Sequence, residues 1–275
     1  MLAMADDTEP KRIALFGATG GTGGATLRSM IAEKSLSSLE LRLFIRSKAK
    51  LLRCHPQLAS FPNVHTWEGQ VTDTNIITAC IQNVDTIICA LGENRNIPGV
   101  HVLQDLSKSI TDGLSDLKNS SGKDWQRPRV ILLSSATWNQ RLSEHTPAPV
   151  HWLVKTAFHY PYVDLLKATA QFEACPDLLS LKLVQPPAIV EDIPTGIEIS
   201  TDSVRLTVSY ADLGAAFANL ALRERVFDEI NAVGISSHGG DSFGKYGLEI
   251  LKRIVVGLIS GYVPGYWQVK GLLSS

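Results

Sequence analysis

The chain has 275 residues, 44% of them hydrophobic, and its 26 Lys and Arg against 27 Asp and Glu give a formal net charge of −1. That length and apolar share suit one large α/β domain or two small ones, while the balanced charge and lack of a basic run speak against nucleic-acid and membrane partners. Its four cysteines, Cys54, Cys80, Cys89 and Cys175, show neither metal-ligand spacing nor a disulfide framework, which fits a reducing, cytoplasmic setting.

The first eleven residues are polar and acidic rather than a signal peptide. Short apolar, β-branched runs then predict strands at 12–16, 41–45, 64–67, 86–91, 129–134, 181–184 and 229–233. Amphipathic stretches predict helices at 22–33, 48–53, 74–82, 102–117, 161–174 and 210–225. Cys80 and Cys89 fall in apolar stretches and read as buried small hydrophobes. The alternation predicts an α/β fold: a doubly wound parallel sheet with helices on both faces. Two segments, 136–160 and 186–208, break the alternation after the fifth and sixth strands. With 237–275 they are expected to form a small substrate-binding lobe at the carboxyl edge of the sheet, within a single domain spanning 1–275. The run 254–259 is too short to span a bilayer.

The first strand runs directly into Gly17-Ala18-Thr19-Gly20-Gly21-Thr22-Gly23 and a helix follows. Gly17 permits a tight turn, Gly20 lets backbone approach a diphosphate, and Gly23 lets helix pack close to strand. The unpaired amides of Thr19, Gly21 and Thr22 would then face phosphate oxygens. Strand before and helix after are the context in which this spacing signals a dinucleotide site. No acid stands at the tip of the second strand to hold ribose hydroxyls. Arg46 stands there instead, with Ser47 and Lys50 as further donors, so a 2′-phosphate and hence NADP are expected. Asp73, at the end of Gly69-Gln70-Val71-Thr72-Asp73, would wall the adenine pocket or cap the third helix. Ala90, Leu91 and Gly92 end the fourth strand with little bulk beneath the cofactor.

The chain resembles the short-chain dehydrogenase/reductase superfamily, in its atypical, NmrA-like branch. The glycine turn, Ile45-Arg46-Ser47-Lys48-Ala49-Lys50, Leu133-Ser134-Ser135-Ala136 and Tyr210-Ala211-Asp212-Leu213-Gly214 carry the likeness, with the segment 167–187. It is similar to the fungal oxidoreductases of aromatic polyketide and alkaloid pathways, the averufin-oxidase-like group among them. The resemblance implies a Rossmann fold and a Ser, Tyr and Lys constellation. In it Tyr donates the proton, Lys lowers the tyrosine's pKa and holds the ribose, and Ser polarises the carbonyl. Lys167 matches the lysine by its place before the sixth strand, yet Val163 stands four residues earlier where the tyrosine belongs. Tyr162 is five positions from Lys167, about 140° around a helix. Tyr160 is seven back and precedes Pro161, which reads as the first helical residue. His151 with Lys155 has the right spacing and is a further proton-donor candidate. Asp164 would orient Lys167 or form an exposed ion pair with it. Ser134 and Ser135 both occupy the serine's place, with Ser135 preferred. Pro186 would run beside the nicotinamide, and Asp212 reads as a structural first-turn acid. Trp138, Trp152, His145 and His159 are candidates for stacking on a flat aromatic substrate. No histidine set has zinc spacing, so no metal is expected.

These features imply an NADPH-dependent oxidoreductase acting on an aromatic or polycyclic metabolite at a carbonyl, quinone or iminium carbon, as a monomer or homodimer. The missing tyrosine leaves open a non-redox cyclase or isomerase that retains NADP. An NmrA-like dinucleotide-sensing regulator also stays open.

Overall fold

A computed structural model describes residues 10–32, 39–222 and 230–273. From the amino end the elements are β1 (Lys11–Phe16), α1 (Gly21–Ala32), β2 (Leu39–Ile45), α2 (Lys48–Cys54), β3 (Val64–Glu68), α3 (Thr74–Ile81), β4 (Thr86–Cys89), α4 (Val102–Ser121) and β5 (Arg129–Leu133). They continue with α5 (Ala148–Ala157), α6 (His159–Glu173), β6 (Ser180–Gln185), β7 (Ala188–Val190), β8 (Ile197–Ser200), β9 (Thr207–Ser209), α7 (Tyr210–Leu222), β10 (Ala232–Ser237), α8 (Phe243–Tyr262) and α9 (Tyr266–Leu273). Eight strands form one sheet in the order β3-β2-β1-β4-β5-β6-β10-β8, parallel throughout except for β8, and β7 pairs with β9 apart from it. The order reverses between β1 and β4, which opens the crevice where such sheets take ligands.

Strand alternation divides the core. From β1, Ile13 and Leu15 point to one face and pack with Leu27 and Met30 of α1 and Phe217 of α7. Ala14 and Phe16 point to the other, with Ile77 of α3, Ile110 of α4 and Phe172 of α6. Both faces are covered, which is why the strands read as unbroken apolar runs. Cys80 and Cys89 lie in the second layer, where burial pushes each thiol up to about 12. They are packing residues.

Sequence-predicted boundaries change at the last strand and at the start of α6, among others. The last strand lies at 232–237 rather than 229–233, of which position 229 falls outside the described residues. Its end is Ser236-Ser237, two buried hydroxyls satisfied by Arg205 N–H and by Asp212, so a polar pair occupies what is core strand. Helix α6 starts at His159, two residues before Pro161; a proline is tolerated there because first-turn amides have no intrahelical acceptor. Tyr160 is therefore helical, not pre-helical as expected. The predicted helix ends at 33 and 223–225 lie outside the described residues.

The segments that break the alternation contain α5, β7 to β9, α8 and α9. Pro147 and Pro149 disguised α5, yet Pro149 falls in its first turn, where it fits. Asn96, 1% exposed, ties these pieces together: its amide donates to the Gly257 carbonyl of α8 at 3.0 Å, and its carbonyl oxygen accepts from Tyr160 N–H at 2.9 Å. Asp192 accepts from Lys245 at 2.5 Å and from the Tyr246 hydroxyl, and Arg253 donates to the Ile189 carbonyl at 2.5 Å. Helix α8 is thereby strapped to the segment after β6. No helix among the described residues is long and apolar enough to cross a membrane.

Helices α1 and α7 touch backbone to backbone. A Cβ on Gly214 would lie 2.5 Å from the carbonyl carbon of Ala25. Gly214→Ala is expected to destabilise the fold by about 1–3 kcal/mol through overpacking, read as a lower urea midpoint at unchanged slope. A variant as stable as the parent would mean that the two helices are free to move apart.

Candidate functional site

The glycine turn closes at the β1/β4 crevice. Gly17 has φ +98°, a left-handed conformation that glycine adopts without strain. A Cβ on it would meet the Ala90 carbonyl oxygen at 2.5 Å. A Cβ on Gly23 would lie 2.5 Å from the Gly17 carbonyl carbon and closer still to its oxygen. The turn is thus pressed between the end of β4 and the start of α1. Gly24 N–H donates to Gly20 O at 2.9 Å, the first bond of the helix, so the amides of Gly21, Thr22 and Gly23 lack intrahelical acceptors. Such a cradle of amides at a helix start fits a diphosphate.

Two neighbours of this turn escaped the sequence reading. The ring of Tyr210 lies on Gly21, its Cδ1 2.8 Å from where a Cβ would stand. Burial raises the Tyr210 pKa. His55, 1% exposed, sits over Gly24 and hydrogen-bonds the Ala18 carbonyl; burial lowers its pKa, with Arg28 acting the same way. The signals were a glycine doublet that leaves room for a ring, and a histidine closing α2.

At the tip of β2, Arg46 is exposed and makes no ion pair or hydrogen bond with a described residue. The parallel register of Phe16 with Phe44 carries Arg46 level with the glycine turn. Ser47 caps α2, its hydroxyl oxygen accepting from Lys50 N–H at 3.2 Å. The Lys50 side chain is exposed. Asp73 stands at the N-cap of α3, but its carboxylate turns back to accept from Gln70 N–H at 2.6 Å. Leu91 continues the Ala90 contact, Gly92 is exposed at the mouth, and Pro186 is buried with its carbonyl accepting from Ala136 N–H at 3.0 Å.

On the other side of the crevice the structure joins Ser135 to Tyr162. The tyrosine hydroxyl is 3.3 Å from Ser135 Oγ and 3.2 Å from Thr137 Oγ1. Burial raises the Tyr162 pKa, opposed by the hydrogen bonds from Ser135 and Thr137. Thr137 is a partner that sequence reasoning missed. Behind it His151 Nε2–H donates to the Thr137 carbonyl at 2.8 Å, so the ring nitrogen expected to move a proton instead fixes the serine turn. Tyr162 opens onto a cleft of about 210 Å³ whose walls include Trp138, Lys155, His159, Leu166 and Tyr262. Trp152, 66% exposed, and His145 are not among its walls.

Two expected partners go elsewhere. Lys167 is exposed on α6 and does not line the cleft. Asp164 neither orients Lys167 nor forms an exposed ion pair. It is 1% exposed and accepts from the backbone N–H groups of Leu103 and Gln104 at 2.9 and 3.0 Å, with the Gln104 side chain at 3.1 Å. It caps α4, whose own N-cap residue, His101, offers no side-chain bond. Tyr160 packs on His159 and bonds Asn96 through its backbone, away from Ser135. Asp212 is more than a first-turn acid: it is buried and accepts from Thr195 and Gly196 N–H and from the Ser209 and Ser237 hydroxyls. Among the described residues no group of His, Cys, Asp and Glu has metal-site geometry.

The sequence model of a family described as NAD(P)H-binding matches residues 17–224, from the first glycine of the turn to beyond α7. The chain belongs to that NAD(P)H-binding family. Averufin oxidase A of Aspergillus flavus is 34% identical over 234 residues, 82% of each chain. Oxidoreductase nsrR of Aspergillus novofumigatus is 28% identical over 255 residues, 93% of this chain and 94% of that one. A short-chain dehydrogenase/reductase from Veillonella parvula, solved in complex with NADP, shares the fold at TM-score 0.60 and 15% identity. That match covers 84% of this chain and 96% of that one. This family member is an NAD(P)-dependent oxidoreductase related to fungal secondary-metabolism oxidoreductases, and its glycine cradle is the structural counterpart of that assignment.

Asp164 sits two residues from Tyr162 and carries the link between α6 and α4. Asp164→Ala is expected to cost about 2–3 kcal/mol, the loss of a charged cap with buried amides left unpaired. Thermal unfolding checks this, and an unchanged midpoint would exclude the capping role.

Proposed function

We propose that this oxidoreductase uses NADPH to reduce a carbonyl, quinone or iminium carbon of an aromatic or polycyclic metabolite, with Tyr162 as the proton donor. The observation that carries the reading is the hydroxyl of Tyr162 held between Ser135 and Thr137, on a side chain that also lines an aromatic cleft. The cofactor, when bound, supplies the hydride. Relatives named for averufin oxidation support a metabolite substrate of this kind.

The chain's own residues divide the remaining work. The amides of residues 21–23 hold the diphosphate, and Gly17 and Gly23 let the turn close tightly enough against β4 to place them. Arg46, with no competing partner among the described residues, holds the 2′-phosphate through its guanidinium, joined by the Ser47 hydroxyl and Lys50. Ser135 donates to the substrate oxygen and polarises the bond. Tyr162 passes its proton to that oxygen as charge develops there. Thr137 keeps the tyrosine hydroxyl aimed, and His151 keeps Thr137 in place.

Tyr162 carries its proton at neutral pH. Its pKa lies above the ordinary tyrosine value because burial outweighs its two hydrogen bonds. The proton that reduction needs is therefore in place on the phenol.

Two outcomes test this. Tyr162→Phe is expected to lower kcat for NADPH-dependent reduction by about 10²- to 10⁴-fold, the range for a lost general acid. In the parent, reduction is expected to hold steady through neutral pH and to fall only as Tyr162 deprotonates, above about 10. A decline centred near neutrality would assign the proton to another group. Arg46→Ala is expected to raise the KM for NADPH by about tenfold or more while leaving NADH nearly unchanged, as removal of a charge-assisted phosphate contact requires. Equal effects on both nucleotides would remove the 2′-phosphate assignment.

A further inference from the structure

Two donors on residues lining the cleft beside Tyr162 have no acceptor among the described residues. The Lys155 ammonium lies 4.1 Å from the centroid of the Trp138 ring and makes no ion pair or hydrogen bond with a described residue. The Trp138 indole N–H is buried and has no hydrogen-bond partner among the described residues. Buried donors of this kind are rare because each forfeits its hydration, so an unpaired one in a native site calls for a missing acceptor. Among the described residues, none lining this cleft is a carboxylate. Among the described residues the Lys155 ammonium has the Trp138 ring face as its neighbour and no carboxylate in the lining.

The rest of the cleft is shaped for a ring. Trp138 stands edge-on to Tyr162, with centroids 5.6 Å apart and planes at 86°. Val163, Leu166 and Tyr262 complete an apolar wall. Its volume of about 210 Å³ falls below the roughly 300–1,000 Å³ usual for whole ligands, so it suits one end of a flat molecule whose remainder extends toward the crevice.

We propose that this cleft is a seat for an oxyanion conjugated to a flat ring, an aromatic carboxylate or an ionised phenol, with the Lys155 ammonium and the Trp138 indole N–H as its donors. The inference deepens the proposed function and rests on it for the identity of the site. Lys155 recognises charge and Trp138 supplies both a ring face and a hydrogen-bond donor. Together they orient the substrate so that its reducible carbon, rather than its anionic end, meets Tyr162 and Ser135. Neutral aromatics of the same shape lack the anchor.

The test is calorimetry on the full-length protein, both saturated with NADP⁺ and without nucleotide. Two matched pairs serve as probes: 2-naphthoate with 2-naphthamide, and 2-hydroxy-1,4-naphthoquinone, ionised at neutral pH, with its methyl ether. The expected result is tighter binding of the anion than of its neutral partner in at least one pair; which pair does so tells a carboxylate seat from a phenolate seat. Lys155→Gln is expected to weaken the preferred anion by about tenfold and its neutral partner by no more than about twofold, as loss of a charge-assisted contact requires. Lys155→Arg restores the preference, and Trp138→Phe, which keeps the ring and removes the N–H, lowers it. Equal affinity within both pairs, no binding of any probe, or equal weakening of anion and neutral ligand by Lys155→Gln overturns the proposal. The heat of NADP⁺ binding, measured on the same preparations, tells that failure from failure of the oxidoreductase reading.

Discussion

Gly17 turns under the end of β4 with no room for a side chain between its Cα and the Ala90 carbonyl. Gly23 in turn presses on the Gly17 carbonyl. This stack of bare backbone sets the depth at which α1 begins, and so where its free amides stand relative to the crevice. It also sets how closely α7 approaches, because Gly214 rests on Ala25 within the same helix and Tyr210 rests on Gly21. A methyl group at position 17 or 23 would lift α1 from the sheet and carry the phosphate cradle with it. The cofactor half of the site is a consequence of side chains being absent.

The other half is held by polar groups. The turn from Ser135 to Trp138 has four ties: Ser135 Oγ accepts from Thr137 N–H, Ala136 N–H reaches the Pro186 carbonyl, His151 holds the Thr137 carbonyl, and Asn139 donates to buried Gln185 at 2.7 Å. One tie is internal to the turn, two reach the end of β6 and the residue after it, and one comes from α5, so the turn is held from both sides. Tyr162 comes to it from α6, and α6 is fixed along its axis by Asp164, which clamps the first amides of α4. A buried carboxylate with no contact to any reacting group thereby helps set where the tyrosine hydroxyl stands.

Much of this was readable from the residues. The glycine turn, the parallel strands and the basic tip of β2 carry local signals, namely backbone permissiveness, apolar runs and charge at a strand end. The β1 to β6 order followed from the alternation of strands and helices. What escaped reading depends on contacts distant in sequence. Asp164 looked like a surface acid beside Lys167 because its partners lie 60 and 61 positions away on α4. His55 and Tyr210 meet the glycine turn only after the chain has folded around it. Helix α5 was hidden by two prolines that mark its start. Strand β10 was misplaced because Ser236 and Ser237 are buried by hydrogen bonding, which leaves no trace in apolar periodicity.

The tyrosine and lysine of α6 show how one residue of spacing changes the chemistry. At four positions the two side chains share a helix face, and the ammonium holds the phenol's pKa down. At five they diverge by about 140°. Tyr162 then reaches Ser135 while Lys167 meets solvent. Without that charge beside it and buried, the phenol stays protonated through neutral pH. A cation does stand near the cleft, but it comes from Lys155 of α5 and lies against Trp138 rather than along α6. In the proposed reading, the charge that would tune the acid if it stood four residues from the tyrosine is placed instead to meet a ligand, and separating the two tasks leaves Tyr162 as the acid while Lys155 attracts the anion.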